Sequence, residues 1–422
     1  MPIKYSQSNA SPRFALLVSK FPCFDEMFIL REMAALAEAG FDFDLYSVKA
    51  SHEKKVQALA QQLVPRLLYR PFLFSREVVL AQFYFLLRRP LRYGSTLMLL
   101  VLEMWRKPLS LLKSLMLFPK ALCYARLMQR RGVVHMHAFW ATFPATMAWI
   151  VQRFTGLSYS ISAHAHDIYE DDSMLGRKIR CATFVMTCTD YNRKHLAQLV
   201  PEKREAVKLI YHGLALKKFY EDAENRKPST KKLHILSIGT FYKTKGFDTL
   251  IAACALLKKQ SLSFECKIVG EGPERESLQA LIAQHGLQSE VQLLGYLKQE
   301  ELRPLRLWAS VFILLPRPYL QWGIPNVYIE ALAARLPVIA TPLNAIQELI
   351  QPEHTGTLVP CDDAAAAAAA LCEAYENPQR HANMALAGQK LVVEKFDAQH
   401  TTPQVLDMFA QTLAQNDDRG GL

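Results

Sequence analysis

Between residues 233 and 376, short apolar runs alternate with amphipathic stretches, and this alternation constrains the fold more than any other feature of the sequence. Strands are expected at Leu233–Ile238, Phe264–Val269, Val291–Leu294, Val311–Leu315, Pro337–Ala340 and Thr357–Val359. Helices are expected at about 247–259, 273–285, 299–306, 325–335, 344–350 and 362–376. The last holds the alanine run Ala364–Ala370 behind Asp362 and Asp363, which can cap it. Strands that alternate with helices in this way form a parallel sheet.

The chain opens in the same order. Phe14–Val18 reads as a buried strand and Phe43–Val48 as the next. Glu26 to Gly40 reads as a helix between them, with Phe28, Ile29, Met33, Leu36 and Ala37 on one face and Gly40 at its end. The pattern resumes at Val133–Met136 and continues through Tyr159–Ser162, Phe184–Thr187 and Val207–Ile210. The polar stretch Glu221–Lys232, with Pro228, reads as a linker. The 422 residues suit two domains of roughly 200 each. The expected architecture is therefore α/β, with two Rossmann-like doubly wound domains, 1–220 and 233–398, facing across a cleft. A final helix at about 399–415 and a loose tail, Asn416–Leu422, are expected to pack back on the first domain. Ligands of such sheets bind at the carboxyl ends of the strands, which puts the expected site in the cleft.

One segment departs from this order. Residues 65–131 hold the apolar stretches Val78–Leu87, Leu97–Leu102 and Leu111–Phe118, interrupted by Pro71, Pro90, Pro108 and Pro119. They read as several short amphipathic helices. From Lys54 to Arg131, 15 lysines and arginines face two acids, Glu77 and Glu103, so this stretch carries +13 in a chain whose total is +11. Basic character confined to one segment speaks against a general nucleic-acid surface. Two readings stay open: helices with solvated basic faces, or a surface that lies on an anionic membrane leaflet.

The eight cysteines, Cys23, Cys123, Cys181, Cys188, Cys254, Cys266, Cys361 and Cys372, show no Cys-x-x-Cys pair and sit in apolar segments, as reduced thiols do. Met1–Pro12 is polar, Phe14–Val18 is too short for the apolar part of a signal peptide, and no stretch reaches the roughly 20 apolar residues of a membrane span. A cytoplasmic location is expected.

Three strand-to-helix corners of the second half carry glycines. Ser237-Ile-Gly239-Thr240-Phe-Tyr-Lys-Thr-Lys245-Gly246 follows a strand, and Gly239 allows close backbone approach while Lys245 offers a charge for a phosphate. Ile268-Val-Gly270-Glu-Gly272-Pro273 is the second. In the third, Gly323-Ile324-Pro325-Asn326 leads into a helix whose free N–H groups suit a pyrophosphate, and Glu330 lies one and a half turns in, where a carboxylate can accept two ribose hydroxyls. An ordinary polar helix position is the plain alternative for Glu330.

The runs "IVGEGPERESLQALIAQHGLQSEVQLLGYL" (268–297) and "GIPNVYIEALAARLPVIAT" (323–341) resemble the retaining glycosyltransferases of the GT-B fold, the group often called family 4. "SKFPCFDEMFILREMAAL" (19–36), "SAHAHDIY" (162–169), "TCTDYNRKHL" (187–196) and "IYHGLALKKF" (210–219) are similar to members that build exopolysaccharides or lipid-linked glycans. The likeness covers most of the chain and the basic insert, which such members use at the membrane surface. It implies a metal-independent hexosyltransferase without cofactor, which takes a nucleotide sugar and a glycan or lipid-linked acceptor. By position, Lys245 touches the donor phosphates, Glu330 binds ribose, His164 lies under the transferred sugar and Asp167 orients its loop. Gly239, Thr240, Gly270, Gly272, Trp322, Gly323, Ile324, Pro325 and Asn326 line the donor, and Glu26, His137, His164 and Tyr169 the acceptor. Two positions depart from the family's pattern: Trp322 stands where an acid is usual and Thr240 where an arginine is usual. A non-catalytic protein that binds nucleotide sugar or glycan is the alternative, with Lys243 or Arg317 as the groups that would compensate in an active enzyme.

Other constellations compete. His135-x-His137 with His164-x-His166-Asp167 resembles the metal-binding opening of amidohydrolases, but no later strand end of the second half supplies further ligands. Asp42-x-Asp44 is a DxD string at a strand start, read as a solvated edge, and Asp171-Asp172 reads equally as acceptor contact or plain loop.

Overall fold

The computed structural model describes residues 13–23, 26–51, 56–69, 75–225, 232–319 and 323–420, with residues 416–420 described by backbone alone. It divides into two compact units, Met1–His212 with Thr402–Leu422, and Gly213–Thr401.

Unit 1 is built on seven parallel strands: β1 (Arg13–Lys20), β2 (Phe43–Lys49), β3 (Leu67–Leu68), β4 (Val133–Phe139), β5 (Ser158–Ala163), β6 (Val185–Thr187) and β7 (Val207–Leu209). They run in the order β3-β2-β1-β4-β5-β6-β7, so the order reverses between β1 and β4. β1 lies inside the sheet, between β2 and β4, and both of its faces are buried. Phe14, Leu16 and Val18 enter one core and Ala15 and Leu17 the other. That is why it reads as an unbroken apolar run. The helices are α1 (Met27–Glu38), α2 (Ala58–Leu63), α3 (Arg76–Arg88), α4 (Pro90–Met104), α5 (Pro108–Arg130), α6 (Phe143–Thr155), α7 (Ala165–Tyr169), α8 (Leu175–Cys181) and α9 (Asp190–Leu199). Val405 and Phe409, far along the chain, fill the core on the Phe14 side. Phe409 meets Phe14 edge-on at 5.3 Å.

The basic insert forms α3, α4 and α5. Pro90 and Pro108 start helices, where their missing N–H costs nothing. Pro119 does not interrupt: α5 runs through it for 23 residues, and its carbonyl accepts from Gln82 Nε2 at 3.0 Å. Pro71 lies outside the described residues. The second half of α5 is core, with Phe118, Ala121, Leu122, Tyr124, Ala125 and Met128 buried. Buried Lys120 donates to the Val48 carbonyl at 2.7 Å. The strand-edge reading of Asp42 and Asp44 needs correction for Asp44, which is 6% exposed and takes two bonds from Arg131, at 2.6 and 2.8 Å. Asp42 accepts from Arg13.

Unit 2 has six parallel strands, β8 (Leu233–Ile238), β9 (Phe264–Val269), β10 (Val291–Leu294), β11 (Val311–Ile313), β12 (Val338–Ala340) and β13 (Thr357–Leu358). Their order is β10-β9-β8-β11-β12-β13, with the reversal between β8 and β11. Its helices are α10 (Lys217–Asn225), α11 (Phe247–Lys259), α12 (Arg275–Gln284), α13 (Gln299–Trp308), α14 (Asn326–Ala333), α15 (Ile346–Leu349), α16 (Ala364–Glu376) and α17 (Pro378–Phe396). α18 (Ala398–Gly420) follows and carries the chain into unit 1. Asp363 caps α16 by accepting from Ala366 N at 2.8 Å. The parallel strands and helices of both units give the expected two Rossmann-like α/β sheets.

Three expectations change. Residues 221–225, read as linker, finish α10, and the units divide at His212 and Gly213. Pro228 and the stretch 226–231 lie outside the described residues. Residues 416–420, read as loose tail, continue α18 as helix. The nineteen-residue helix α17 had no counterpart in the sequence reading.

Candidate functional site

In unit 2 the loops that follow β8, β9 and β11 converge at the carboxyl ends of the strands. The β8 and β9 loops lie backbone on backbone: Phe241 N donates to Glu271 O at 2.9 Å and Glu274 N to Phe241 O at 3.0 Å. A Cβ on Gly270 would stand 1.9 Å from the Gly239 carbonyl, and one on Gly272 2.6 Å from the Phe241 carbonyl. Both glycines hold one loop against the other.

Beyond Thr240, which is exposed, a 3-10 turn spans Lys243–Lys245 and ends at Gly246, in the left-handed region at φ +68°. A Cβ there would lie 2.0 Å from the Leu315 carbonyl, so only glycine lets this turn seat against the β11 loop. Arg317 locks the same contact. Its backbone N–H donates to Thr244 O at 2.9 Å, and its guanidinium bonds Asp362 at 2.6 Å, Asp248 at 2.8 Å and the Lys243 carbonyl. Arg317 is a clamp on the loop, its guanidinium engaged by two carboxylates. Lys245 is half-buried, and burial lowers its ammonium below the ordinary lysine value.

α14 starts beside the same loop. Tyr328, fully buried, donates to the Leu314 carbonyl at 2.6 Å, and Thr341 Oγ1 to Pro316 O at 2.7 Å. Pro325 is the N-cap, Asn326 is exposed, and Gly323 and Ile324 are half-buried. Glu330 accepts from Gln299 Nε2 at 3.1 Å. Trp322 lies outside the described residues. The Lys243–Gly246 turn and the start of α14 thus flank one segment, 314–317, at the reversal point between β8 and β11, where ligands of open parallel sheets bind.

In unit 1, His164 follows β5 and starts α7. Asp167, fully buried, accepts from His164 N at 2.6 Å and from Ala141 N. Burial pushes its carboxyl up to about 7. Lys178 donates to the carbonyls of Ala141 and Thr142, at 2.6 and 3.2 Å, so this pair ties the His164 turn to the end of β4. The His164 ring is boxed by Phe28 and Trp140, each at 4.8 Å, and stacked on His212 at 5.1 Å. Glu26 accepts from Trp140 Nε1 at 3.0 Å, and Tyr169 donates to Asn192 Oδ1 at 3.1 Å.

His137 is a correction. It is fully buried, and its ring nitrogens bond Ser160 and Ser162 at 2.8 and 2.9 Å. It therefore supports the sheet and cannot touch an acceptor. His135 does the same with Ser158 and Ser160, at 2.7 and 2.9 Å, so the His-x-His pair forms a zipper between β4 and β5. Among the described residues, no group of three or more His, Cys, Asp or Glu is placed to hold a metal ion. Asp172 pairs with Lys107, and Asp171 accepts from Ser173 at 2.6 Å.

Glu32, Thr187 and His212 gather beside His164 around a recess of unit 1 and were not singled out from the sequence. Each stands in a stretch that carried the family resemblance, which was the available signal. Glu32 is pushed up to about 8 by burial, and His212 is lowered to about 4. A raised carboxyl is protonated in the fold when it would be ionised in the unfolded chain. Its stabilisation is full below about 4.5 and is lost as pH rises through about 8. Glu32→Gln is therefore expected to flatten the fall in unfolding free energy between pH 4.5 and pH 8, measured by urea denaturation, while Asp167 keeps its own part.

Residues 219–391 match the Glycosyl transferases group 1 family model. The amylovoran biosynthesis glycosyltransferase AmsK of Erwinia amylovora is 32% identical over 216 residues, 50% of this chain and 52% of that protein. The putative colanic acid biosynthesis glycosyltransferase WcaL of Salmonella typhimurium is 34% identical over 33% of this chain and 36% of its own. The chain thus spans about half, or less, of these relatives' length. Among solved structures, sucrose-phosphate synthase from Thermosynechococcus elongatus has a TM-score of 0.67 at 19% identity, covering 96% of this chain and 100% of that one. The Anabaena protein HepE, solved with UDP-glucose, has a TM-score of 0.60 at 14% identity, covering 94% and 99%. These likenesses show the fold, the GT-B pair of Rossmann-like sheets. Within that fold, residues 219–391 are similar to the Glycosyl transferases group 1 domain.

Proposed function

We propose that this chain is a retaining hexosyltransferase that moves a sugar from a nucleotide donor to a polysaccharide or lipid-linked acceptor at the inner face of the cytoplasmic membrane. The observation that supports it most is the meeting of the Lys243–Gly246 turn and the start of α14 at the reversal point between β8 and β11. An ammonium and the N–H groups of a helix start suit a departing diphosphate without a metal. Glu330 holds the ribose. The acceptor oxygen attacks the anomeric carbon on the face from which the diphosphate leaves. The bond to the phosphate oxygen breaks, and that oxygen takes the acceptor's proton. The family resemblance assigns His164, positioned by Asp167 in unit 1, to the transferred sugar. The polysaccharide class of acceptor follows the names of AmsK and WcaL.

Purified chain is expected to release nucleoside diphosphate from a nucleotide sugar in an acceptor-dependent way, and Glu330→Ala to lower the rate at least tenfold, roughly the loss of one strong transition-state contact. An unchanged rate removes Glu330 from the site. A second reading, a binder without turnover, is favoured by Thr240 and by the engagement of Arg317 with Asp248 and Asp362. If the native chain is inactive and Thr240→Arg with Trp322→Glu creates turnover, the binder reading holds.

The membrane part of the proposal draws on α3 to α5. Phe83, Leu87, Leu91, Trp105 and Leu109 are exposed, Leu91 at 87%. Tyr84, Arg88, Arg126, Gln129 and Arg130 line a basic recess of about 400 Å³. No helix among the described residues is long and apolar enough to cross a membrane. Apolar side chains beside arginines favour an anionic surface. Binding to phosphatidylglycerol vesicles is expected to weaken with salt, and Leu87→Asp with Leu91→Asp to abolish it in a flotation assay. Equal binding to neutral phosphatidylcholine vesicles counts against the charge argument.

A further inference from the structure

Three buried side-chain atoms of unit 1 have no hydrogen-bond partner and belong to residues lining one recess: Glu32 Oε2, His164 Nδ1 and Thr187 Oγ1. His164 is 7% exposed and Thr187 2%. The recess measures about 10 Å³, room for a single water-sized group. His212 closes one side: its ring stacks on His164, and its Nδ1 lies 3.8 Å from Glu32 Oε1. Ser162 is part of the wall, but its hydroxyl is engaged with His137. The wall comes from α1, from the carboxyl ends of β5 and β6, from the residues just past β7, and from Val405 of α18; the strand ends are the side of such a sheet that takes ligands.

Buried polar atoms are rarely left unpartnered. Three around one recess call for a small group that both donates and accepts. A hydroxyl donates once and accepts twice. With Glu32 raised and both imidazoles lowered by burial, all three groups are uncharged near neutrality, which suits a neutral ligand. We infer that Glu32, His164, Thr187 and His212 form a seat for one hydroxyl of the acceptor sugar, and that this seat selects the acceptor. The inference rests on the proposal that unit 1 binds a glycan acceptor, and it adds Glu32, Thr187 and His212 to it.

The test uses the full chain and calorimetric titration with the methyl α-pyranosides of glucose, galactose and mannose and their mono-deoxy forms. At least one parent glycoside is expected to bind, and loss of one particular hydroxyl to weaken it about tenfold, the loss of one well-made hydrogen bond. Thr187→Val is expected to weaken the parent by a similar factor, while native chain and variant bind that deoxy form alike. Thr187→Ser, which keeps the hydroxyl, should bind as the native chain does. Glu32→Gln provides a second, independent cycle, and thermal melts show that each variant folds. Binding of none of the three glycosides overturns the inference, as do losses that simply add. If those losses add while nucleotide sugar is still turned over, the seat is refuted and the transferase proposal stands. If no nucleotide sugar is bound or turned over either, both are refuted.

Discussion

Lys245→Ala is expected to cut acceptor-dependent nucleoside diphosphate release by about 100-fold, the order found when one preorganised charge-stabilising group is removed. The size of the effect follows from how the residue is held. Gly246 seats the turn against the Leu315 carbonyl, and Arg317 ties it to Asp248, Asp362 and the Lys243 carbonyl. The backbone that carries the ammonium is thus fixed before any donor arrives, which limits the reorganisation needed as charge develops on the leaving group. Burial has already lowered its proton affinity, so a diphosphate beside it restores electrostatic stabilisation that water gives an exposed lysine. Lys245→Arg should recover only part of the rate, because a planar fork on a different stem does not replace a point charge. A loss smaller than threefold in the alanine variant would remove Lys245 from the chemistry.

Asp222→Ala is expected to destabilise unit 2 by about 3–5 kcal/mol, the cost of leaving a buried charge without its partner. Asp222, on α10, is 1% exposed and accepts from Arg303 at 2.7 Å and Arg306 at 2.9 Å, both on α13. Arg306 is itself 5% exposed, with its guanidinium 4.6 Å from the Phe219 ring. Without the carboxylate, that guanidinium stays in the core with too few acceptors. Urea unfolding of the full chain measures the loss. Replacing Arg306 with methionine in the same variant should return much of it, because an apolar side chain of similar length removes the unpaired charge. If the double variant is no more stable than Asp222→Ala alone, the desolvation account fails.

Asp222 also explains one limit of the sequence reading. A polar segment looks like a linker whether its charges meet water or meet arginines eighty residues away, and only the fold tells the two apart. The helix α17 was hidden for a related reason. Glycine disfavours a helix interior, yet a Cβ at Gly388 would lie 2.6 Å from Leu332 Cδ2, so this glycine serves close packing. His137 looked like a ligand because its serine partners lie 23 and 25 residues away, on the neighbouring strand. Except for β3, two half-buried residues that the sequence reading lacked, the strands of both sheets were legible because parallel strands are buried on both faces and appear as apolar runs. The corners around Gly239, Gly270 and Asn326 were legible because a glycine or a helix start at a strand end is a local signal. The recess around Glu32 and Thr187 was not, since it is assembled from five separate parts of the chain.

The pairing of Phe14 with Phe409 has a consequence for synthesis. The aromatic core around the first strand is completed by side chains made almost four hundred residues later, after all of unit 2 has been translated. During translation the early sheet must wait, with the apolar face that Val405 and Phe409 will cover still open, while the later domain already has every segment it needs. The half that is made first should therefore be the last to finish folding, and the half most in need of chaperones on the ribosome.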